Sequence, residues 1–237
     1  MQTAKSQKSI TMAGLNVIMH TCGRNCVNVE LVPLFRGMGQ TVANSLRRVL
    51  LTCVSGWALV GVYIDGAEHE LSRLNGVKED VIDIILNLKQ LVFGGDSNAN
   101  IVKGVLFANS EGNVLARNVC IPGNVRVFNV NQQICYLNFN SRIRIELVIA
   151  RGIGYLCSDD LRSMLGVCLR DFIALDANFS PIKRVSYNVV ESEYSFAGYD
   201  KINMLVESNG TIDFNETIGT CCELIGYQFS SLAEAFR

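Results

Sequence analysis

Residues 36–53 of the chain, RGMGQTVANSLRRVLLTC, decide how the rest of the sequence is interpreted. Gly37 and Gly39 indicate a turn, because glycine adopts positive φ angles at little cost. Thr41 is the expected N-cap of a helix that extends to about Cys53. Apolar residues recur in this helix at three- and four-residue spacing, which places them on one face. They are Val42, Leu46, Val49, Leu50 and Cys53.

The same helix carries two adjacent arginines, Arg47 and Arg48, which point away from its apolar face. An exposed arginine keeps its charge and offers five N–H donors to a partner. The sequence therefore predicts a helix with one face to bury and one charged face for docking. The alternative is that the arginines only keep this face hydrated.

The end of the chain, residues 215–237, predicts a second amphipathic helix. Asp213 and Glu216, three residues apart, fit a capping box at its start. The apolar stripe that follows must find an apolar partner, which is either the chain's own sheet or the same helix of a second copy. The stripe consists of Ile218, Cys222, Ile225, Phe229, Leu232 and Phe236.

Most of the remaining sequence predicts β structure. Residues 10–20 and 27–34 have the β-branched composition of a hairpin, with Pro33 ending its second strand. Residues 57–64 are suited to a buried strand, and strand-like pieces recur at short intervals over residues 102–138. A helix near residues 80–88, with Val81, Ile84, Ile85 and Leu88 at helical spacing, interrupts them. The expected fold class is α+β.

Composition favours an ordered scaffold or interaction protein, with an enzyme as the alternative. Hydrophobic residues make up 49% of the 237 residues and charged residues 18%, which excludes a disordered chain. The net charge of −1 predicts no global attraction to nucleic acid, which requires a basic surface. Two histidines, His20 and His69, leave almost no material for a histidine-based active site.

The nine cysteines do not form a recognised motif. No C-x-x-C pair occurs, so a zinc ribbon or a redox motif is not expected, and the thiols are predicted to be reduced and packed as small hydrophobic residues. His20, Cys22 and Cys26 form the one cluster worth testing for a metal ion. The polar N-terminus has no apolar core of a signal peptide, and no long apolar run indicates a membrane span.

Five long motifs, in this order, resemble the amino-terminal domain of the bacterial-type RNA polymerase alpha subunit. The resemblance extends from about Val27 to Arg237. The motifs are LVPLFRGMGQTVANSLRRVLLTCVSG (31–56), VYIDGAEHELSRLNGVKEDVIDIILNLK (62–89), RIELVIARGIGY (144–155), FSPIKRVSYNVV (179–190) and YDKINMLVESNGTI (199–212).

The resemblance implies two lobes and a function in assembly. Residues 1–55 with 178–237 would form a dimerisation lobe, and residues 56–177 an inserted β-rich lobe. The subunit would carry no catalytic residues, metal or cofactor. As a homodimer it would hold the beta and beta-prime subunits of DNA-directed RNA polymerase, a nucleotidyltransferase, and would meet DNA only indirectly and membranes not at all.

The resemblance also implies roles for individual residues. Arg48 and Leu51 would contact the beta subunit, as would His69 and Glu70, and Arg47 beside them would belong to the docking surface for the beta and beta-prime subunits. Lys89 would contact the beta-prime subunit. The dimer interface would contain apolar residues of both amphipathic helices, namely Val42, Leu46, Val49, Leu50, Ile218, Cys222, Ile225, Phe229, Leu232 and Phe236.

Proteins of this family usually continue into a small carboxy-terminal domain that binds promoter DNA, whereas this sequence ends at Arg237. The expectation is an alpha subunit without that domain, in the cytoplasm of a bacterium or in an organelle stroma. Two alternatives are an archaeal-type subunit, which works as a heterodimer, and a stand-alone small-molecule-binding protein.

Overall fold

The computed structural model describes residues 14–67, 69–97, 99–169, 171–192 and 198–236. The fold is α+β with two lobes, as the sequence predicts. The strands are β1 Asn16–Thr21, β2 Cys26–Phe35, β3 Ser55–Ile64, β4 Phe93–Gly94, β5 Ile101–Ala108, β6 Gly112–Leu115, β7 Val119–Cys120, β8 Arg126–Val127, β9 Gln133–Leu137, β10 Ile143–Ile153, β11 Tyr155–Leu156, β12 Ile173–Ala174, β13 Ala177–Asn178, β14 Ile182–Ser192 and β15 Tyr199–Ser208. The α-helices are α1 Gly39–Thr52, α2 Val81–Lys89, α3 Ser158–Leu165 and α4 Phe214–Ala235, and 3₁₀ turns occur at Ala116–Asn118 and Gly166–Leu169.

The first lobe, called here the small-sheet lobe, joins both ends of the chain. Its antiparallel sheet has the strand order β1-β2-β15-β14, so strands close to the two termini lie side by side. Val27, Val29 and Leu31 alternate along β2 and are buried, as their period of two predicts. They share a core with α1 and with the first turns of α4. The predicted hairpin is confirmed from Asn16 onward, while its residues 10–13 lie outside the described residues.

Pro33 does not end β2, and that prediction is wrong. The strand continues to Phe35, which pairs with Tyr199, and Leu34 pairs with Asp200. The register with β15 shifts just here, between Asp200 and Ile202, so the proline falls at an irregularity of the ladder. A proline is tolerated at such a bulge because no N–H is required of it there.

Helix α1 begins two residues before the predicted N-cap, Thr41. Its first residue is Gly39, whose N–H donates a hydrogen bond of 2.8 Å to Oδ2 of Asp200 on β15. Asp200 is only 2% exposed, and its carboxylate lies at the positive end of the helix dipole. A side chain 161 residues away in the sequence therefore caps the helix. Gly37 takes the positive φ angle of the preceding turn, at 81°.

Replacing Gly39 with alanine is expected to destabilise the small-sheet lobe by about 1–3 kcal/mol, because the added methyl group would overpack the core at this position. An added Cβ would lie 2.5 Å from Cγ1 of Val189 and 2.9 Å from Oδ2 of Asp200. Urea unfolding followed by circular dichroism measures the change. Gly219→Ala is the control, because a Cβ at Gly219 in α4 would have no described atom within 4 Å, and alanine favours helix over glycine by about 1 kcal/mol. Equal unfolding midpoints for the two variants would contradict this account.

The second lobe, called here the large-sheet lobe, is built on an antiparallel sheet of order β7-β5-β10-β3-β4-β8, with β12 also paired to β3. One face of this sheet is covered by α2 and by the β6-β9 ribbon. In α2 the predicted stripe is confirmed by its four buried residues, which are Val81, Ile84, Ile85 and Leu88. At one end of the other face, α3 and the segment after it cover Ala58, Val60 and Val148.

The prediction of cysteines packed as small hydrophobic residues holds for only some of them. All nine thiols are free, but only Cys135 and Cys221 are buried, and burial raises their pKa values to about 12 and about 11. Cys22, Cys53, Cys120 and Cys222 are exposed. Among the helices of the described residues, none has the length and apolarity required to cross a bilayer.

Candidate functional site

The outer face of α1 brings together three of the six predicted docking residues. Arg47 and Arg48 are exposed, and Leu51 is half-buried. Leu51 follows Arg47 by four positions and Arg48 by three, so the three side chains share one surface of the helix. The arrangement offers two guanidinium groups beside a small apolar contact, which suits a protein partner with carboxylates.

His69 and Glu70 lie on the loop that follows β3, and both are exposed. The backbone N–H of His69 donates to Oγ of Ser72 over 3.1 Å, and the same hydroxyl lies 3.1 Å from Nδ1 of the His69 ring. This local arrangement orients the imidazole while leaving it open to solvent. Gly66, with a φ angle of 84°, makes the turn from the strand into this loop.

Lys89 lies in the last turn of α2, where it is exposed. Two apolar residues on the same side of the helix, Ile82 and Leu86, are also exposed, and they precede Lys89 by seven and three positions. The sequence analysis missed both residues. The available signal was that they fall outside the stripe formed by Val81, Ile84, Ile85 and Leu88, and an apolar pair on the hydrated side of a helix is informative.

The predicted apolar stripe of α4 is divided between two environments. Asp213 caps the helix by accepting a hydrogen bond of 2.9 Å from the N–H of Glu216, which is one of the two bonds of the predicted capping box. Ile218 is buried and Ile225 half-buried against the small-sheet lobe. Beyond Ile225 the same face runs on uncovered by the described part of the chain, since Phe229, Leu232 and Phe236 are 58%, 55% and 85% exposed.

Other predicted interface residues vary in how much surface they offer. Leu46 and Leu50 are buried in the core of their own lobe, which leaves no area for a second chain to cover. Val42 and Val49 are half-buried beside them. In α4, Cys222 is exposed, whereas the adjacent Cys221 fills the core position.

The side chains that could hold a metal ion are dispersed in the residues that the structure describes. No group of three or more His, Cys, Asp and Glu side chains in that part of the chain is placed to hold a metal ion. Within the predicted cluster, the Sγ of Cys22 points to the backbone oxygen of His20 at 3.5 Å. The pKa of the nearby Cys26 thiol is raised, first by burial and then by the charge of Glu207.

Residues 62–180, about half of the chain, match a family model described as the RNA polymerase Rpb3/RpoA insert domain. The matched segment begins within β3 and ends just before β14, and so contains most of the large-sheet lobe.

Proposed function

Because the chain belongs to the RNA polymerase Rpb3/RpoA family, we propose that it is a bacterial- or plastid-type alpha subunit, a homodimer on which the beta and beta-prime subunits assemble. Membership of this family indicates that the chain is a subunit of an RNA polymerase, which is a nucleotidyltransferase complex. In the proposed role the subunit binds other proteins and leaves catalysis to them.

The observation that carries the homodimer is the uncovered half of the α4 stripe. Helix α4 lies on its own lobe as far as Ile225, and beyond it Phe229, Leu232 and Phe236 form an apolar surface that no described residue of the chain covers. Contiguous apolar surface of this kind indicates a protein interface. The same helix from a second copy has the matching stripe, so a two-fold contact covers both surfaces at once.

The two-lobe organisation supports the same proposal. We assign residues 1–55 with 178–237 to dimerisation and residues 56–177 to an inserted lobe. Each lobe has its own sheet and its own hydrophobic core. The segment matched by the insert-domain family, 62–180, overlaps the proposed inserted lobe along nearly all of its length.

The docking residues form three surfaces in this proposal. Arg47, Arg48 and Leu51 on α1 receive the beta subunit, together with His69 and Glu70 on the loop after β3. The exposed row on the outer side of α2, formed by Ile82, Leu86 and Lys89, receives the beta-prime subunit. A row of apolar residues ending in a cation is the composition expected of an interface core with a charged rim.

Light scattering on the purified chain tests the proposal. The expected mass is twice the monomer mass of 26.1 kDa at micromolar concentration. A strict monomer would contradict the homodimer and would favour the archaeal-type arrangement, in which the stripe of α4 is covered by a different chain.

A further inference from the structure

The turn between β1 and β2 places two cysteines directly opposite each other. Thr21 and Val27 form the last regular pair of these strands. One position further, the N–H of Cys22 donates a hydrogen bond of 3.0 Å to the backbone oxygen of Cys26. Only residues 23–25 separate the two cysteines. Opposite residues of an antiparallel pair project from the same face of the sheet, so the hairpin register puts both thiols on one side of the turn.

Both thiols of this pair are open to solvent to some degree. Cys22 is exposed and Cys26 is half-buried. Burial raises the pKa of Cys26 most, followed by the charges of Glu207 and of Cys22, so the two thiol groups lie within electrostatic range of each other. Cys120 and Cys135, the other cysteines of the described strands, are paired with valines. The β1–β2 turn is therefore where the register of the described strands brings two cysteines together.

The spacing of such a pair fits a disulfide that forms under strain. Opposite residues joined by backbone hydrogen bonds have Cα atoms about 5.5 Å apart, within the range of about 4.4–6.8 Å that disulfides span. Their Cβ atoms are farther apart than the distance of about 3.8 Å that a disulfide prefers, so the bond would pull the two strands together. The Sγ of Cys22 points to the backbone oxygen of His20, and a rotation about its Cα–Cβ bond turns it towards Cys26. A strained, exposed disulfide is readily reduced, which suits a reversible modification.

The same turn supports the connection between β15 and α4. The backbone oxygen of Asn25, which lies between the two cysteines in the sequence, accepts a hydrogen bond of 2.9 Å from the N–H of Ser208. The side-chain oxygen of Asn25 lies 2.8 Å from the position that a Cβ of Gly210 would occupy, so the two segments are in close contact. A restraint on the turn therefore acts on the segment that leads into α4.

We propose that Cys22 and Cys26 form a reversible disulfide by exchange with a small-molecule disulfide such as oxidised glutathione, and that this bond restrains the turn on which the β15–α4 connection rests. The covalent link is added to the hydrogen bond that closes the base of the turn, and it removes conformational freedom from residues 23–25. The inference does not depend on the proposed polymerase function, because it rests on the hairpin and its contacts alone.

The exchange takes place in two steps. Cys22 is the more exposed thiol, so its thiolate attacks the glutathione disulfide first, forming a mixed disulfide and releasing one glutathione thiolate. The thiolate of Cys26 then attacks the sulfur of Cys22, which forms the cross-strand bond and releases the second glutathione. The two protons of the cysteine thiols end on the two released glutathione molecules. The two electrons given up by the cysteines reduce the glutathione disulfide.

Tryptic mapping without reduction tests the disulfide on the purified full chain, because trypsin cleaves after Arg24, between the two cysteines. Cys22 then lies in the peptide of residues 9–24 and Cys26 in that of residues 25–36. After incubation with oxidised glutathione and alkylation of the remaining thiols, we expect mass spectrometry to find these two peptides joined as a main product. An excess of reduced glutathione should separate them again. The absence of the joined product, or its resistance to reduced glutathione, would overturn the proposal.

The double variant Thr21→Cys with Cys22→Ser is the matched control. It moves the thiol by one residue, onto the opposite face of β1, and leaves the tryptic cleavage sites in place. We expect the yield of the joined peptides to fall about tenfold or more in this variant, and an equal yield would contradict a bond set by the hairpin register. A mixture of unlabelled and ¹⁵N-labelled chains should give joined peptides of one label only. Joined peptides of mixed label would show a bond between two chains and would also overturn the proposal.

Amide hydrogen exchange measures the restraint on the turn. The N–H of Ser208 is bonded to Asn25, so we expect oxidation to slow its exchange about threefold or more. The N–H of Tyr136, bonded to Glu79 in the large-sheet lobe, is the internal control and should exchange as before. Exchange at Ser208 that does not change on oxidation would overturn the proposed restraint of the β15–α4 connection.

Discussion

Replacing Phe229 with aspartate is expected to convert the proposed dimer into a folded monomer. Phe229 lies on the uncovered part of the α4 stripe, between Ile225, which touches the small-sheet lobe, and Leu232. In a two-fold contact its ring would be buried, and an aspartate there would place an unpaired charge in an apolar interface. Such a change costs several kcal/mol, and each 1.4 kcal/mol weakens association about tenfold.

Sedimentation velocity over a concentration series measures this effect, and circular dichroism establishes that the variant is folded. Ser231→Asp is the matched control, because it adds the same charge two positions away, where the helix turns its opposite face. That variant should sediment like the unmodified chain. If Phe229→Asp dimerises with unchanged affinity, or if both variants fail equally, the stripe of α4 is not the seam.

Replacing Arg48 with alanine is expected to abolish capture of the beta subunit while leaving the dimer intact. Arg48 is exposed on the outer face of α1, so its removal should change the free energy of unfolding by less than about 0.5 kcal/mol. In a docked complex, however, loss of a buried, hydrogen-bonded guanidinium costs about 2–5 kcal/mol. Pull-down of the beta subunit with the tagged chain provides the measurement.

Two further variants sharpen the interpretation of Arg48. Arg48→Lys keeps the charge and loses the planar fork, so partial capture would show that geometry matters in addition to charge. Arg24→Ala removes an exposed arginine from the β1–β2 turn of the same lobe and should leave capture unchanged. Full capture by Arg48→Ala would remove this residue from the docking surface.

The features that could be predicted from sequence are those determined by neighbouring residues. The stripe of Val81, Ile84, Ile85 and Leu88 identified α2 and its buried face, because a period of 3.6 has no other simple explanation. The cap of α4 could also be predicted from neighbouring residues, because Asp213 and Glu216 are three positions apart in the sequence.

The features that could not be predicted depend on contacts between distant parts of the chain. Helix α1 begins at Gly39, before the predicted N-cap Thr41, because the Asp200 side chain on β15 accepts a hydrogen bond from the N–H of Gly39. The sequence around residue 39 does not indicate this contact. The continuation of β2 past Pro33 likewise depends on its pairing with β15.

Contacts between distant parts of the chain also decide which predicted site residues are exposed. Periodicity placed Leu46, Leu50 and Phe229 on apolar faces, but it does not state what covers each face. In the structure the first two pack in the core of their own lobe, whereas Phe229 is exposed and lies outside that core. Ile82 and Leu86 lie outside the regular stripe of α2, so the period that identified the buried face of the helix did not predict their exposure.

Native mass spectrometry of the polymerase assembled with the tagged chain tests the central claim most directly. The account predicts a complex that contains two copies of this chain, each of 26.1 kDa, with one beta and one beta-prime subunit. A complex with a single copy of this chain and a different small partner, or one without the two large subunits, would contradict it.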